Sequence, residues 1–194
     1  GFPLAVEVDA SPGLNKIRVV GLPDAAVKES EDRVSSAIRN SGFRMPRGHV
    51  VISLAPADIR KEGSALDLPI AMGMLAASDQ LSGMRLAEYA LVGELALDGS
   101  IRPVMGALSM AISVRDRGLR GIVVPAENAE EAGVVQGIEV IAMHNLHQAV
   151  AFMAEEAEHA PHVTETDTLF AQSHEHAPDM NEVKGRAHGH RALP

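Results

Sequence analysis

Cysteine and tryptophan are absent from this 194-residue sequence, tyrosine occurs once and phenylalanine four times. Without cysteine there is no disulfide framework, no thiolate nucleophile and no Cys-type zinc or iron–sulfur site. With so few aromatics the core has to be aliphatic, with nine Met as gap-fillers. No apolar run of about eighteen residues occurs, so no membrane-spanning helix is expected. The loops G-x-x-x-x-G-K-[ST] and G-x-G-x-x-G, which cradle nucleotide phosphates, are missing as well. A net charge of −9 excludes a general basic coat for nucleic acid and leaves room only for a local patch. The opening Gly1-Phe2-Pro3-Leu4 has no Met and no signal-like charged region, and reads as the start of an excised fragment. What remains is a length that suits one domain with a tail, able to bury roughly two-thirds of its unfolded surface.

The composition shifts near residue 154. Residues 154–194 hold three of the 17 Lys and Arg, eight of the 26 Asp and Glu and six of the nine His. Between Ala154 and Asn181 apolar periodicity almost disappears, and such a segment buries too little surface to offset its ordering entropy. The expected division is therefore a globular part over 1–153 and a flexible acidic linker over 154–180, with residues 181–194 beyond it.

Within 1–153, period-2 and helical stretches alternate, which predicts an α/β fold. Leu4 to Val8 and Ile17 to Val20 read as strands around the Ser11-Pro12-Gly13 turn. Asp24 caps a helix with Val27, Val34, Ala37 and Ile38 on one face, ending at Gly42. Val50 to Leu54 is the next strand. Leu68 to Ala77 is apolar on every side and predicts a buried helix, with Asp67 as its N-cap because Pro69 fits only the first turn. Tyr89 to Leu97 and Ser100 to Val104 form a hairpin around Asp98-Gly99, and Leu108, Ala111 and Ile112 begin a helix that stops at Gly118. Gly121 to Pro125 and Val140 to Met143 are strands, each followed by a helix with capping-box spacing, Asn128 with Glu131 and Asn145 with Gln148. The predicted order is ββαβαββαβαβα.

Few residues offer chemistry. His174-x-His176 and His188-x-His190 have the spacing of a chelate, yet a tail has no surrounding shell to fix them, and they read as solvated. No metal site is expected. Arg39, Arg44 and Arg47 cluster at the end of the first helix, with Arg60 and Lys61 after the next strand. A patch of Arg39, Arg44, Arg47 and Lys61 would suit a phosphate backbone or a protein partner, although basic residues also favour helix C-termini for their own sake. Ser64 lies just before the buried helix, where a nucleophile or oxyanion hole can be built. With no His near it in sequence, and Lys61 its one neighbouring amine, loop hydrogen bonding is its simpler role.

Several of these stretches together are distinctive. Val19-Val20-Gly21-Leu22-Pro23-Asp24-Ala25-Ala26-Val27-Lys28-Glu29-Ser30 resembles the opening signature of the magnesium-chelatase-like competence ATPases of the ComM/YifB type. Asn40-Ser41-Gly42-Phe43, Leu54-Ala55-Pro56-Ala57-Asp58, Lys61-Glu62-Gly63, Asp67-Leu68-Pro69-Ile70-Ala71, Val92-Gly93-Glu94-Leu95 and Val124-Pro125-Ala126-Glu127-Asn128 continue it. Val183-Lys184-Gly185, His188 and Arg191-Ala192-Leu193 look like the first helix of that family's AAA+ ATPase module, with Arg186 and His190 where the family has Gln and Lys.

The resemblance implies the fold of ribosomal protein S5 domain 2, shared with the proteolytic domain of Lon. Lon-type proteases use a Ser–Lys dyad. Aligning on Gly63 and Gly118 places Ala65 at the nucleophile and Leu108 and Met110 where the lysines stand, so peptidase chemistry is expected to be lost. The resemblance further implies a cytoplasmic, hexameric, ATP-driven full-length protein that promotes DNA branch migration in natural transformation and recombination. ATP and Mg2+ would serve that full-length protein, with no cofactor in this stretch. An active Ser–Lys-type peptidase using Ser64 and a magnesium-chelatase subunit are the alternative readings.

Overall fold

Neighbouring residues of His49–Ala55, the strand at the centre of the first sheet, alternate between buried and half-buried, as a strand covered on one face requires. In the computed structural model, which describes residues 4–61, 63–83 and 85–165, this strand is β3. β1 (Ala5–Ser11) pairs with it antiparallel, Val8 opposite Ile52, and β2 (Lys16–Val20) pairs parallel, Val19 opposite Ile52. Helices α1 (Ala25–Asn40) and α2 (Asp67–Ala77) supply the covering layer. Asp24 accepts a hydrogen bond from the Val27 amide at 2.8 Å and so starts α1, whose Val27, Val34, Ala37 and Ile38 are fully buried. α2 is apolar all round because it is buried all round.

The second sheet is entirely parallel: β4 (Tyr89–Leu91), β7 (Gly121–Pro125) and β8 (Glu139–Met143), in the order β4-β7-β8. Every residue of β7 is buried. Val123 joins Ile141 and Met143 in the core shared with α1, α2 and α5 (Leu146–Met153). Ile122, Val124 and Val140 face the other way, under α3 (Ala107–Asp116) and α4 (Ala129–Gly133). Between α2 and α3 a small antiparallel hairpin, β5 (Glu94–Leu95) and β6 (Ile101–Arg102), turns at Asp98-Gly99.

The α/β class holds, and the strand order differs from the expected one at one point. Tyr89 to Leu97 is two strands, β4 and β5, in two different sheets. Gly93 divides them: its amide donates to Ala65 O and its carbonyl accepts from Leu68 N, both at 3.0 Å, so its main chain serves the start of α2 instead of a strand. A Cβ at Gly93 would lie 2.7 Å from Ile101 Cγ2, which explains why this crossing needs glycine.

Two caps also differ. Asp67 is the first residue of α2, not its cap, and its carboxylate turns inward. Asn128 makes no cap hydrogen bond to α4; its amide pairs with the main chain of Val104, accepting from N and donating to O, each at 2.9 Å. Asn145, in contrast, caps α5 as expected, through the Gln148 amide at 2.9 Å.

The compact unit does not stop at Met153; it runs to Thr164. Residues 154–164 contain no helix or strand, and polar bonds hold them: His162 N donates to Val140 O at 2.7 Å and Thr164 Oγ1 to Glu130 O at 3.1 Å. The rest of the expected linker, the two His-x-His pairs and the helix start at 181–194 lie outside the described residues. Among the described residues no helix is long and apolar enough to cross a membrane.

Candidate functional site

The start of α2 gathers Asp24, Lys61, Asp67 and Glu94 from four of the signature stretches. Asp67, fully buried, accepts from Ser30 Oγ at 2.6 Å, from Arg33 Nε at 2.7 Å and Nη2 at 3.0 Å, and from the Leu95 amide at 3.1 Å. One carboxylate thus ties α1, α2 and β5 together, and the hydrogen bond to it raises the Arg33 guanidinium above its ordinary pKa against the opposing effect of burial. Ser30 and Arg33 share the buried side of α1 with Val27 and Val34. That polar pair inside an apolar stripe was the signal in the sequence for a buried partner.

Ser64 sits next to this network without joining it. Its hydroxyl donates to the Glu94 carboxylate, which also pairs with Arg102 at 3.4 Å. Lys61, 1% exposed, lies alongside Pro23, its amide on Leu22 O at 3.1 Å and its carbonyl on the Asp24 amide at 3.0 Å. This strand-like pairing turns the side chain inward, and its ammonium donates to Pro56 O. Ser64 therefore faces a carboxylate and Lys61 a carbonyl, so the two do not form a Ser–Lys pair. Ala65 is half-buried; Leu108 and Met110 on α3 are apolar, Leu108 partly exposed and Met110 packed on the α3–α4 core. None of these three side chains can attack a carbonyl or move a proton. Among the described residues no group of three or more His, Asp or Glu could hold a metal ion.

The burial of Lys61 also removes it from the expected basic patch. The remaining cations divide. Arg44 and Arg47 are exposed and line one groove of about 830 Å³, together with Asn15, Ser78, Asp79 and Gln80. Arg39 is exposed in the last turn of α1, outside that lining. The loop carrying the two arginines is braced at both ends. Gln80 accepts from Arg44 N at 2.9 Å and donates back to Arg44 O at 2.6 Å, while Asn15 accepts from Gly48 N at 2.8 Å. Gly48 has φ +86° against the Ser11 carbonyl, a position with no space for a side chain. Among the described residues neither Arg44 nor Arg47 has a carboxylate partner, so the groove presents two free guanidiniums on a fixed loop, with Asp79 the opposing charge.

These features define an α/β domain with a Lon-like sequence pattern and no dyad. The chain belongs to the Mg-chelatase ChlI family, whose description, subunit ChlI of Mg-chelatase, matches residues 6–128. Among particular proteins it is 43% identical over 191 residues to YifB of Escherichia coli, covering 98% of this chain and 37% of that protein. With the competence protein ComM of Haemophilus influenzae it is 38% identical over 192 residues, again 98% of this chain and 37% of the relative. A Lon protease of Bacillus thuringiensis is 27% identical over 139 residues, 68% of this chain and 17% of that protein. The chain thus spans 37% of the length of YifB and ComM.

Proposed function

We propose that this chain is the non-catalytic N-terminal domain, of S5 domain 2-like fold, of a cytoplasmic hexameric ATPase that drives DNA branch migration during natural transformation and recombination. The observation that carries the reading is the identity with a competence protein along 98% of the chain. ATP and Mg2+ belong to the longer protein. The described residues do not fit a nucleoside triphosphate: where α2 opens after the Gly63 loop, the buried Asp67 carboxylate occupies the helix start and would repel phosphate. The Ser–Lys peptidase alternative lacks its lysine: the Ser64 hydroxyl is engaged by Glu94 and the Lys61 ammonium by Pro56 O. The magnesium-chelatase alternative rests on the family description alone.

In this reading the domain touches DNA through Arg44 and Arg47, with Arg39 at the margin. Two or three cations give backbone contact without sequence preference, a Kd of ~10⁻⁴ to 10⁻⁶ M and a salt slope of about −2 to −3. The test is a titration of single-stranded, duplex and branched DNA at two salt concentrations, using the parent and Arg44→Glu/Arg47→Glu. Loss of binding in the variant supports the reading. Equal binding by parent and variant, or no binding by the parent, rejects DNA contact at this groove.

A further inference from the structure

Residues 154–164 leave α5 and return along the domain in a way their composition does not require. Their one apolar anchor is Ala154, packed on the core at the end of α5; beyond it Val163 is 79% exposed, and the ring contact nearest the core is His159 edge-on to Phe152 at 6.2 Å. What holds them is a polar seat made by three parts of the domain. Arg85 is the first part. Its side chain is 8% exposed and lies over the Phe152 ring at 4.5 Å, and it donates to Phe152 O at 2.8 Å. From there it reaches Glu158 at 3.0 Å, and its buried Nε, which has no hydrogen-bond partner, points toward Glu155 at 3.4 Å. The second part is β8, the outer strand of its sheet, whose Val140 carbonyl takes the His162 amide at 2.7 Å. The third is α4, where Glu130 receives the His162 ring at 2.8 Å and the Thr164 hydroxyl at its carbonyl.

The two sides of this contact are unequal. Arg85 is buried and bound to Phe152 O of α5, outside the segment, whereas Glu155 and Glu158 are 58% and 80% exposed. Exposed carboxylates on a fixed cation, one ring-nitrogen contact, the Thr164 hydroxyl on a main-chain carbonyl and single main-chain hydrogen bonds are individually weak, and the charged ones are screened by salt. We infer that the seat formed by Arg85, the outer edge of β8 and α4 is a docking site for this chain's own residues 154–164, which occupy it reversibly as a strap. Docked, the strap lies along the outer edge of β8 and on α4. Released and extended, residues 154–164 reach roughly 36–40 Å. The change alters the effective concentration at which the domain meets anything joined to it. The inference rests on these contacts alone and stands whether or not the DNA reading does.

Amide hydrogen exchange on the full 194-residue chain tests it, with the His162 amide as reporter and Ile122 and Ile141 as core references. The parent shows His162 protected. In Glu155→Gln/Glu158→Gln, both exposed and tolerant of change, protection at His162 falls about three- to tenfold with the core amides unmoved. Arg85→Ala lowers it further, and added salt lowers it in the parent only. An unprotected His162 in the parent overturns the proposal. So does unchanged protection in both variants, or a fall at His162 only in step with Ile122 and Ile141, which would make the segment an inseparable part of the core.

Discussion

The two three-stranded sheets of this domain bury their residues by different rules. In the first, β3 is paired antiparallel on one side and parallel on the other, and its residues alternate: Val50, Ile52 and Leu54 inside, Val51 and Ser53 half-exposed. In the second, β7 has parallel neighbours on both sides and helices on both faces, and nothing alternates. Five buried residues in a row, Gly121-Ile122-Val123-Val124-Pro125, divide their side chains between two cores. The same length of strand therefore carries different information. One face of the first sheet is open to change, while every position of β7 is constrained by packing.

Mutation can break this comparison. The largest effect is expected at the seam, where Asp67 starts the helix that covers the first sheet and holds Arg33 and the β5 main chain. Asp67→Ala takes the buried carboxylate from Arg33 Nε and leaves the buried Leu95 amide without its acceptor, and is expected to cost about 3–5 kcal/mol in chemical denaturation. A loss under about 1 kcal/mol would show that water replaces the carboxylate and that the network does not join the layers. Next come neighbouring pairs. Ile122→Ala and Val123→Ala should each cost about 1.5–4 kcal/mol, whereas in β3 Ile52→Ala should cost that much and Val51→Ala under about 1 kcal/mol. Equal costs at Val51 and Val123 would erase the distinction between the sheets.

The smallest effect is in pH. Burial, assisted by the Glu139 carboxylate that accepts its hydroxyl proton, pushes the Tyr89 phenol from 10.0 up to about 12. A folded-state pKa above the unfolded one means that folding favours the protonated phenol. That stabilisation is complete below pH about 10 and is lost as pH rises toward about 12. With one tyrosine and no tryptophan, absorbance at alkaline pH follows this group alone, and Tyr89→Phe should remove its share of the alkaline loss of stability. A phenol that titrates near 10 in the folded protein would contradict the burial of Tyr89 and its hydrogen bond to Glu139.

Much of this architecture was legible because local chemistry and tertiary position agree. Asp24 and Asn145 cap the helices that their sequence position predicts. The all-apolar stretch from Leu68 is a buried helix, and Gly121 to Pro125 a buried strand. The readings that failed are those in which a polar side chain had a distant alternative. Asp67 and Asn128 both have the spacing of caps, and both turn to partners far away in sequence, Arg33 and Val104. Lys61 looked like a surface cation and is buried because its main chain pairs with Pro23. The end of the domain was misplaced at Met153 for a related reason. Periodicity registers apolar packing, and residues 154–164 are held by charge and hydrogen bonds. At the candidate site, the lost dyad positions could be read residue by residue, and the pairing of Arg44 with Arg47 in one groove required the fold.

The reciprocal pair between Asn128 and Val104 has a consequence of its own. A side-chain amide stands here where a neighbouring strand would be, offering an acceptor to one main-chain atom and a donor to the next. Asparagine is also the residue whose amide hydrolyses as proteins age. At a solvated position that conversion adds a negative charge and little else. At Asn128, 6% exposed and beside the Glu131 carboxylate, it replaces the donor with a second acceptor facing the Val104 carbonyl. The loop before α3 would then be held by one attraction and pushed by two repulsions. That conversion at Asn128 would therefore loosen the connection between β6 and α3.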